Sequence, residues 1–331
     1  MLTPTDIEEY IRLSVLLGGY RELVQGSGGN ISVKSGDQMC VKASGRILAE
    51  TTQNYGYSIC SLEKLRNVLN ADSEDTRETV LGGEPNSIPS MEAFFHMLPS
   101  KWVVHLHPTF LLPHLCNEDW EVMYSEVSHC HISYQTPGIN LAKAIEAVYT
   151  NEKVIFLQNH GVIVCAETLY EVCAILDSLV RTFQSPQKQG LHIEKLFRFQ
   201  EHIQQTYAVQ NIFKPCTAIR VMNERLFLSI TPDIHLFLKE FPLIQESSHE
   251  DPYTLLASYS TIFGYLPSVF KVFGRVFVFG KSYRQCICIE EVLESFLEIL
   301  HHPNSNLTTI PMEGAESLRT NPREIHRLAI S

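Results

Sequence analysis

One stretch of this chain leaves few options for what it can build. Between residues 90 and 108 lie one carboxylate, Glu92, and three histidines, His96, His105 and His107. His105 and His107 flank a single leucine at the end of an apolar run, residues 102–106, whose length predicts a short buried strand. Side chains at i and i+2 of a strand share a face, so the two imidazoles can hold one metal ion. Pro108 follows at once, where a strand can end. Glu92 falls on a predicted helix that starts near Pro89 or Ser90. A carboxylate there can complete a metal site or move a proton. His96, four residues on, shares that helix face and reads as a supporting or core histidine.

An isolated pair of histidines two apart is common without a metal. The pair gains weight from a second apolar run, residues 154–157, which ends in Gln158-Asn159-His160-Gly161 before a third run, residues 162–165. His160 at the edge of that strand would complete a three-histidine set, with or without a glutamate. Such a set leaves a coordination position open for substrate, as catalytic zinc sites do. His129 and His131 form a competing pair around Cys130, without a second acid-histidine unit beside it.

The rest of the chain reads in order. Residues 5 to about 23 predict a helix capped by Thr5, with Glu8 three residues on. Ile7, Ile11, Val15 and Leu16 form its apolar stripe, and Gly18-Gly19 weakens or bends it. Gly26-Ser27-Gly28-Gly29-Asn30 then precedes an alternating strand, residues 31–34. Glycines let backbone amides turn toward an anion, and Asn30 adds a donor. A strand follows this loop, so it is not the dinucleotide fingerprint. Val41-Lys42-Ala43-Ser44-Gly45 is a second such loop after a strand at 39–42; it also reads as a plain hairpin exit. Residues 61–70 predict a helix and 71–87 a surface loop or β-ribbon. Short helices are expected over 109–115, 138–149, 167–183 and 191–207. The alternation of helices and strands predicts a layered α/β domain over residues 1–210.

Residues 211–331 are expected to form a smaller C-terminal α/β extension. Residues 226–230 and 275–279 read as strands, and 289–300 as a helix. Glu290, Glu291, Glu294 and Glu298 on that helix read as a solvated face. The last twenty or so residues read as a helix or loose tail. Gly280-Lys281-Ser282 is not a P-loop, because Arg275 stands where the motif needs its first glycine.

Composition narrows the function classes. A formal net charge of −11 argues against a nucleic-acid-binding surface. No run approaches the ~18 apolar residues of a membrane span, and the first residues lack the pattern of a signal peptide. Nine scattered cysteines without a C-x-x-C fit reduced thiols. A cytoplasmic location, without membrane or nucleic-acid partners, is the expectation.

Five pieces of the sequence, Gly28-Gly29-Asn30-Ile31-Ser32, Ala43-Ser44-Gly45, Pro89-Ser90-Met91-Glu92, His105-Leu106-His107-Pro108 and Asn159-His160-Gly161, together resemble the class II aldolase/adducin family of zinc-dependent sugar-phosphate lyases. They stand in that family's order over about residues 5 to 185. The acid helix with His96 and Leu98-Pro99 looks most like the aldolase half of bifunctional rhamnulose-phosphate aldolase/lactaldehyde dehydrogenase proteins. The resemblance implies an α/β/α fold around a central mixed, mainly antiparallel sheet. It also implies zinc, or another divalent first-row metal, on His105, His107 and His160, with Glu92 as ligand or general acid/base. Gly28, Asn30, Ser44, Gly45 and Ser90 match loop positions that hold a substrate phosphate. Met91 stands where short family members place another serine, which removes one phosphate donor. The implied reaction is retro-aldol cleavage of a ketose or ketose phosphate through a metal-stabilised enediolate. Epimerisation, dehydration or decarboxylation on the same site, or a non-catalytic adducin-like role, are the alternatives. A homo-oligomer, a cyclic tetramer with sites at subunit interfaces, is also implied.

Overall fold

Capping chemistry sets where the chain enters its first helix. Thr3 Oγ accepts from the Asp6 amide at 3.1 Å, and Asp6 accepts from the Thr3 amide at 2.8 Å. This reciprocal pair, with Pro4 at the first helical position, starts α1 at Pro4–Gly18. The capping box is therefore Thr3/Asp6 and not Thr5/Glu8. The helix also stops at Gly18 and does not continue to residue 23. A Cβ at Gly18 would stand 2.4 Å from the Ala49 amide nitrogen, so the two glycines end the helix against a neighbouring segment.

The computed structural model describes residues 1–184, 191–209, 212–216, 224, 226–229, 231, 233–239, 241–300 and 320. Two compact units emerge, Met1–Phe197 and Arg198–Ser331. The division falls within a helix that the sequence reading assigned wholly to its first domain, which it ended at residue 210.

The first unit is built on one eight-stranded sheet. Its strands are β1 (Asn30–Ser35), β2 (Gln38–Lys42), β3 (Tyr57–Ser61), β4 (Val80–Gly83), β5 (Trp102–Leu106), β6 (His129–Ile132), β7 (Val154–Leu157) and β8 (Gly161–Ala166). They lie in the order β4-β3-β2-β1-β5-β8-β7-β6, and every pairing is antiparallel except β6 with β7. The mixed, mainly antiparallel sheet is thus present. Helix α1 packs on β1 and α5 (Leu169–Phe183) on β5 and β8. Helices α2 (Leu62–Asn70) and α4 (Ile139–Val148), with a 3₁₀ helix at Met91–Met97, meet the sheet elsewhere and share one apolar core with it. Leu65, Phe94, Phe95, Leu141 and Ile145 face Val41, Val103 and Ile163 in that core. The short α3 (Leu112–Leu115) covers only the end of the helix expected over 109–115. Residues 71–87, read as a surface loop or β-ribbon, hold a strand, β4.

The second unit contains a four-stranded sheet in the order β10-β11-β12-β9, made of β9 (Ile212–Pro215), β10 (Leu243–Ile244), β11 (Val269–Val272) and β12 (Arg275–Gly280). Helix α6 (Ile193–Tyr207) spans the division, and α7 (Pro252–Phe263) and α8 (Tyr283–Leu300) follow. Ile289, Leu293 and Phe296 of α8 share a core with Val276, Val278 and Phe227. Residues 226–229 are irregular and form no strand. Glu290 is also not simply solvated: it pairs with Lys214, and both side chains are mostly buried. Pro232 and, Thr320 apart, the chain beyond residue 300 lie outside the described residues. Among the described residues, no helix is long and apolar enough to cross a membrane.

Candidate functional site

β5 is the central strand on which the site is assembled. His105 lies within it, fully buried, and His107 lies just past its end. β8 pairs with β5 through His105↔Ile163 and Leu106↔Val162. The turn from β7 into β8 therefore delivers His160 to the same end of the sheet. Asn159 makes that turn possible with φ +51°, a left-handed conformation that Asn tolerates. Two glycines leave space for the His107 ring. A Cβ at Gly28 would come within 2.9 Å of His107 Nδ1, and one at Gly161 within 3.0 Å of His107 Cδ2.

One nitrogen from each of His105, His107 and His160 falls in a group whose members all lie within 4.8 Å of one another. His105 Nε2 and His107 Nε2 are 2.9 Å apart. Nitrogens bound to a tetrahedral zinc at about 2.0–2.1 Å sit roughly 3.3 Å from each other, so small ring rotations bring the set to that geometry. His105 Nδ1 donates to the Val162 carbonyl at 3.1 Å, which directs its Nε2 lone pair toward the group. Burial pushes His105 down to about 3 and His107 down to about 4. Both imidazoles are consequently neutral at physiological pH, as metal ligands must be. The donor set fits a divalent first-row metal.

Glu92 Oε1 stands 3.2 Å from His160 Nε2 and 3.7 Å from His105 Nε2. Burial alone would raise its pKa. The imidazoles of His105, His160 and His107 outweigh that and hold the carboxyl well below its ordinary value. Its other oxygen, Oε2, accepts from Asn30 Nδ2 at 2.6 Å. His96 is fully buried and does not join the histidine group; its Nδ1 bonds Ser32 Oγ at 2.8 Å. Phe95 stacks on His96 and meets His105 edge-on.

The expected loop residues come together around the same end of the sheet. The Ser44 amide donates to the Ile88 carbonyl at 2.8 Å, and the Ser90 amide to the Lys42 carbonyl at 2.9 Å. Ser90 Oγ caps the 3₁₀ helix by accepting from the Glu92 amide at 3.3 Å. Gly45 adopts φ +73° with open space around it. Asn30 turns one amide hydrogen to Glu92, and Gly28 lies against His107. Lys42 is the residue that sequence reasoning missed. Its side chain is buried, and its ammonium bonds the Ser27 carbonyl and reaches Gly28 O at 3.5 Å. Burial lowers its pKa to about 8 against the pull of Glu92. A lysine on a strand next to a glycine loop was the available signal. The competing pair, His129 and His131, sits on the edge strand β6 among Tyr124 and Phe156. Among the described residues it belongs to no three-donor group.

Residues 8–185 match the family described as the Class II Aldolase and Adducin N-terminal domain. A curated relative, the uncharacterized oxidoreductase YuxG of Bacillus subtilis, is 27% identical over 187 residues, half of this chain. The chain spans only 27% of that relative's length. Among solved structures, the N-terminal class II aldolase domain of a conserved protein from Thermoplasma acidophilum is 22% identical, with a TM-score of 0.45 over 61% of this chain and 96% of its own. An L-fuculose 1-phosphate aldolase from Glaciozyma antarctica is 14% identical, with a TM-score of 0.43 over 60% of this chain and 90% of its own.

Proposed function

Because the chain belongs to the class II aldolase and adducin family, we propose that it is a metal-dependent carbon–carbon lyase that cleaves a ketose or ketose phosphate by a retro-aldol reaction. The observation that carries this reading is the convergence of three imidazole nitrogens with one ionised, buried carboxylate 3.2 Å from His160 Nε2. His105, His107 and His160 would hold the metal. A bound divalent ion, zinc by preference, supplies the Lewis acidity that stabilises the negative charge left on substrate oxygens when the bond breaks.

The protein's own groups do the rest. Glu92 is placed beside the metal ligands, ionised and shielded from water, so it can take a proton from a substrate hydroxyl and return it. Asn30 fixes one of its oxygens and leaves the other facing the histidines. Gly28, Ser44, Gly45 and Ser90 line the adjoining loops and bind the substrate's phosphate or terminal hydroxyl. The buried ammonium of Lys42 bonds the Ser27 carbonyl and so ties the glycine loop to β2.

The test is incubation of the metal-loaded protein with a panel of ketoses and ketose phosphates. Release of dihydroxyacetone, or its phosphate, together with an aldehyde is expected. Conversion to an epimer, or release of water or carbon dioxide without carbon–carbon cleavage into two sugars, would refute the lyase assignment.

A further inference from the structure

β1 carries a polar row where an apolar one would be expected. Asn30, Ser32 and Lys34 alternate along the strand and so face one side of the sheet. Ser32 lies opposite Val41 and Val103 and Lys34 opposite Met39, all three in the apolar core, while Asn30 lies opposite His105. All three polar side chains are buried, at 2%, 0% and 9% exposure. Burying polar groups costs stability unless each finds a partner, and here all three partners come from one element, the 3₁₀ helix Met91–Met97. Asn30 Nδ2 donates to Glu92 Oε2 at 2.6 Å, Ser32 Oγ bonds His96 Nδ1 at 2.8 Å, and Lys34 Nζ donates to the His96 carbonyl at 2.7 Å.

That element cannot place itself. A 3₁₀ helix has poor internal hydrogen bonds and seldom exceeds three or four residues, yet this one runs for seven. Its apolar contacts through Ala93, Phe94 and Phe95 hold it against the core, but hydrophobic contact is non-directional and does not fix rotation about the helix axis. Directional bonds at two points along the axis do. Asn30 grips Glu92 itself, and Ser32 and Lys34 grip the far end at His96.

We propose that Ser32 and Lys34 are positioning residues for the metal site: through His96 they lock the rotation of the 3₁₀ helix, which keeps the Glu92 carboxylate aimed between His105 and His160. This rests on the reading of Glu92 as the acid beside a bound metal. It gives β1 a second task beyond the glycine loop, since one strand face sets both the acid and its distance from the ligands.

The experiment is cobalt(II) titration of the full-length protein, followed by its visible ligand-field spectrum and its affinity, for wild type, Glu92→Gln, Ser32→Ala, Lys34→Met and each of the last two combined with Glu92→Gln. Support groups behind metal ligands typically contribute about 10- to 100-fold in affinity. Ser32→Ala and Lys34→Met are each expected to weaken cobalt binding on the order of 10-fold. They should also shift the same spectral bands as Glu92→Gln. Added to Glu92→Gln, each should cost less than about twofold more, because the positioned group is already gone. Ser32→Thr, which keeps the hydroxyl, should restore the wild-type spectrum. If Ser32→Ala does not fold, Lys34→Met reads the same coupling. Wild-type spectra in both single variants would overturn the proposal, even if both melt at lower temperature. Full additivity with Glu92→Gln, or a wild-type protein that takes up no cobalt, would overturn it too. No substrate enters the measurement, so its result is independent of whether the protein proves to be a lyase.

Discussion

Replacing Gly161 by alanine tests whether the close approach of β8 to β5 sets the metal site. A Cβ at Gly161 would stand 2.3 Å from the Leu106 carbonyl oxygen and 3.0 Å from His107 Cδ2. Carbon–oxygen contacts between strands are ordinarily about 3.3 Å or more, so the strands must part by roughly 1 Å. The Leu106 oxygen cannot rotate away, because it is backbone and Leu106 is held in register opposite Val162. Overpacking of this kind costs about 1–3 kcal/mol, and for a unit of this size each kcal/mol lowers the melting temperature by roughly 2–4 °C. The functional effect is larger, because a ligand displaced by about 1 Å misses the ±0.2 Å tolerance of a metal–nitrogen bond. We expect metal affinity to fall at least about 10-fold, measured by competition with a chromophoric chelator. Both tryptophans, Trp102 and Trp120, lie in the first unit, so fluorescence follows its unfolding alone. Gly274→Ala is the control: Gly274 has φ +74° and open space around it. It should lose only the ~1–2 kcal/mol of a left-handed alanine and keep full metal affinity. Gly161→Ala protein with unchanged affinity and melting temperature would refute the reasoning.

Glu92→Gln should still bind metal, with affinity weakened on the order of 10-fold, and lose at least about 100-fold in rate when metal-loaded; full activity would remove its proton-transfer role, and complete loss of metal would make it an obligatory ligand. His105→Ala and His160→Ala should abolish metal content in elemental analysis, while His129→Ala and His131→Ala keep it; the reverse pattern would move the site to β6. His105 and His107 have pKa values pushed by burial to about 3 and about 4, below the ordinary ~6.5. Below about pH 6.5 the unfolded chain therefore binds more protons than the folded one, and metal-free protein should lose stability steadily as pH falls toward 4. Light scattering should find a homo-oligomer, with a tetramer as the expected size; a monomer that turns over substrate would rule that out.

The local rules of the chain were enough for part of the site. The i, i+2 spacing of His105 and His107 puts both on one face of any strand, whatever surrounds it. The turn at Gln158-Asn159-His160-Gly161 was legible because a short apolar run stood on either side. Local signals misled at other points. Thr5/Glu8 read as the capping box, but the helix starts at Thr3/Asp6, with Pro4 at its first position. Four glutamates on one helix read as solvated, but Lys214, seventy-six residues from Glu290, draws one of them inward.

What only the tertiary structure decided is which distant groups meet. Asn30 read as a loop donor for an anion, yet sixty-two residues separate it from Glu92, the carboxylate whose oxygen it bonds. His96 read as a supporting or core histidine, and it is buried; only the fold shows that its ring bonds Ser32 and its carbonyl Lys34 on β1. Strand order β1-β5-β8 sets these meetings, and neighbours in a sheet are chosen by long-range burial that no short window contains. A periodicity tells which face a side chain takes; only the register of the next strand tells what it finds there.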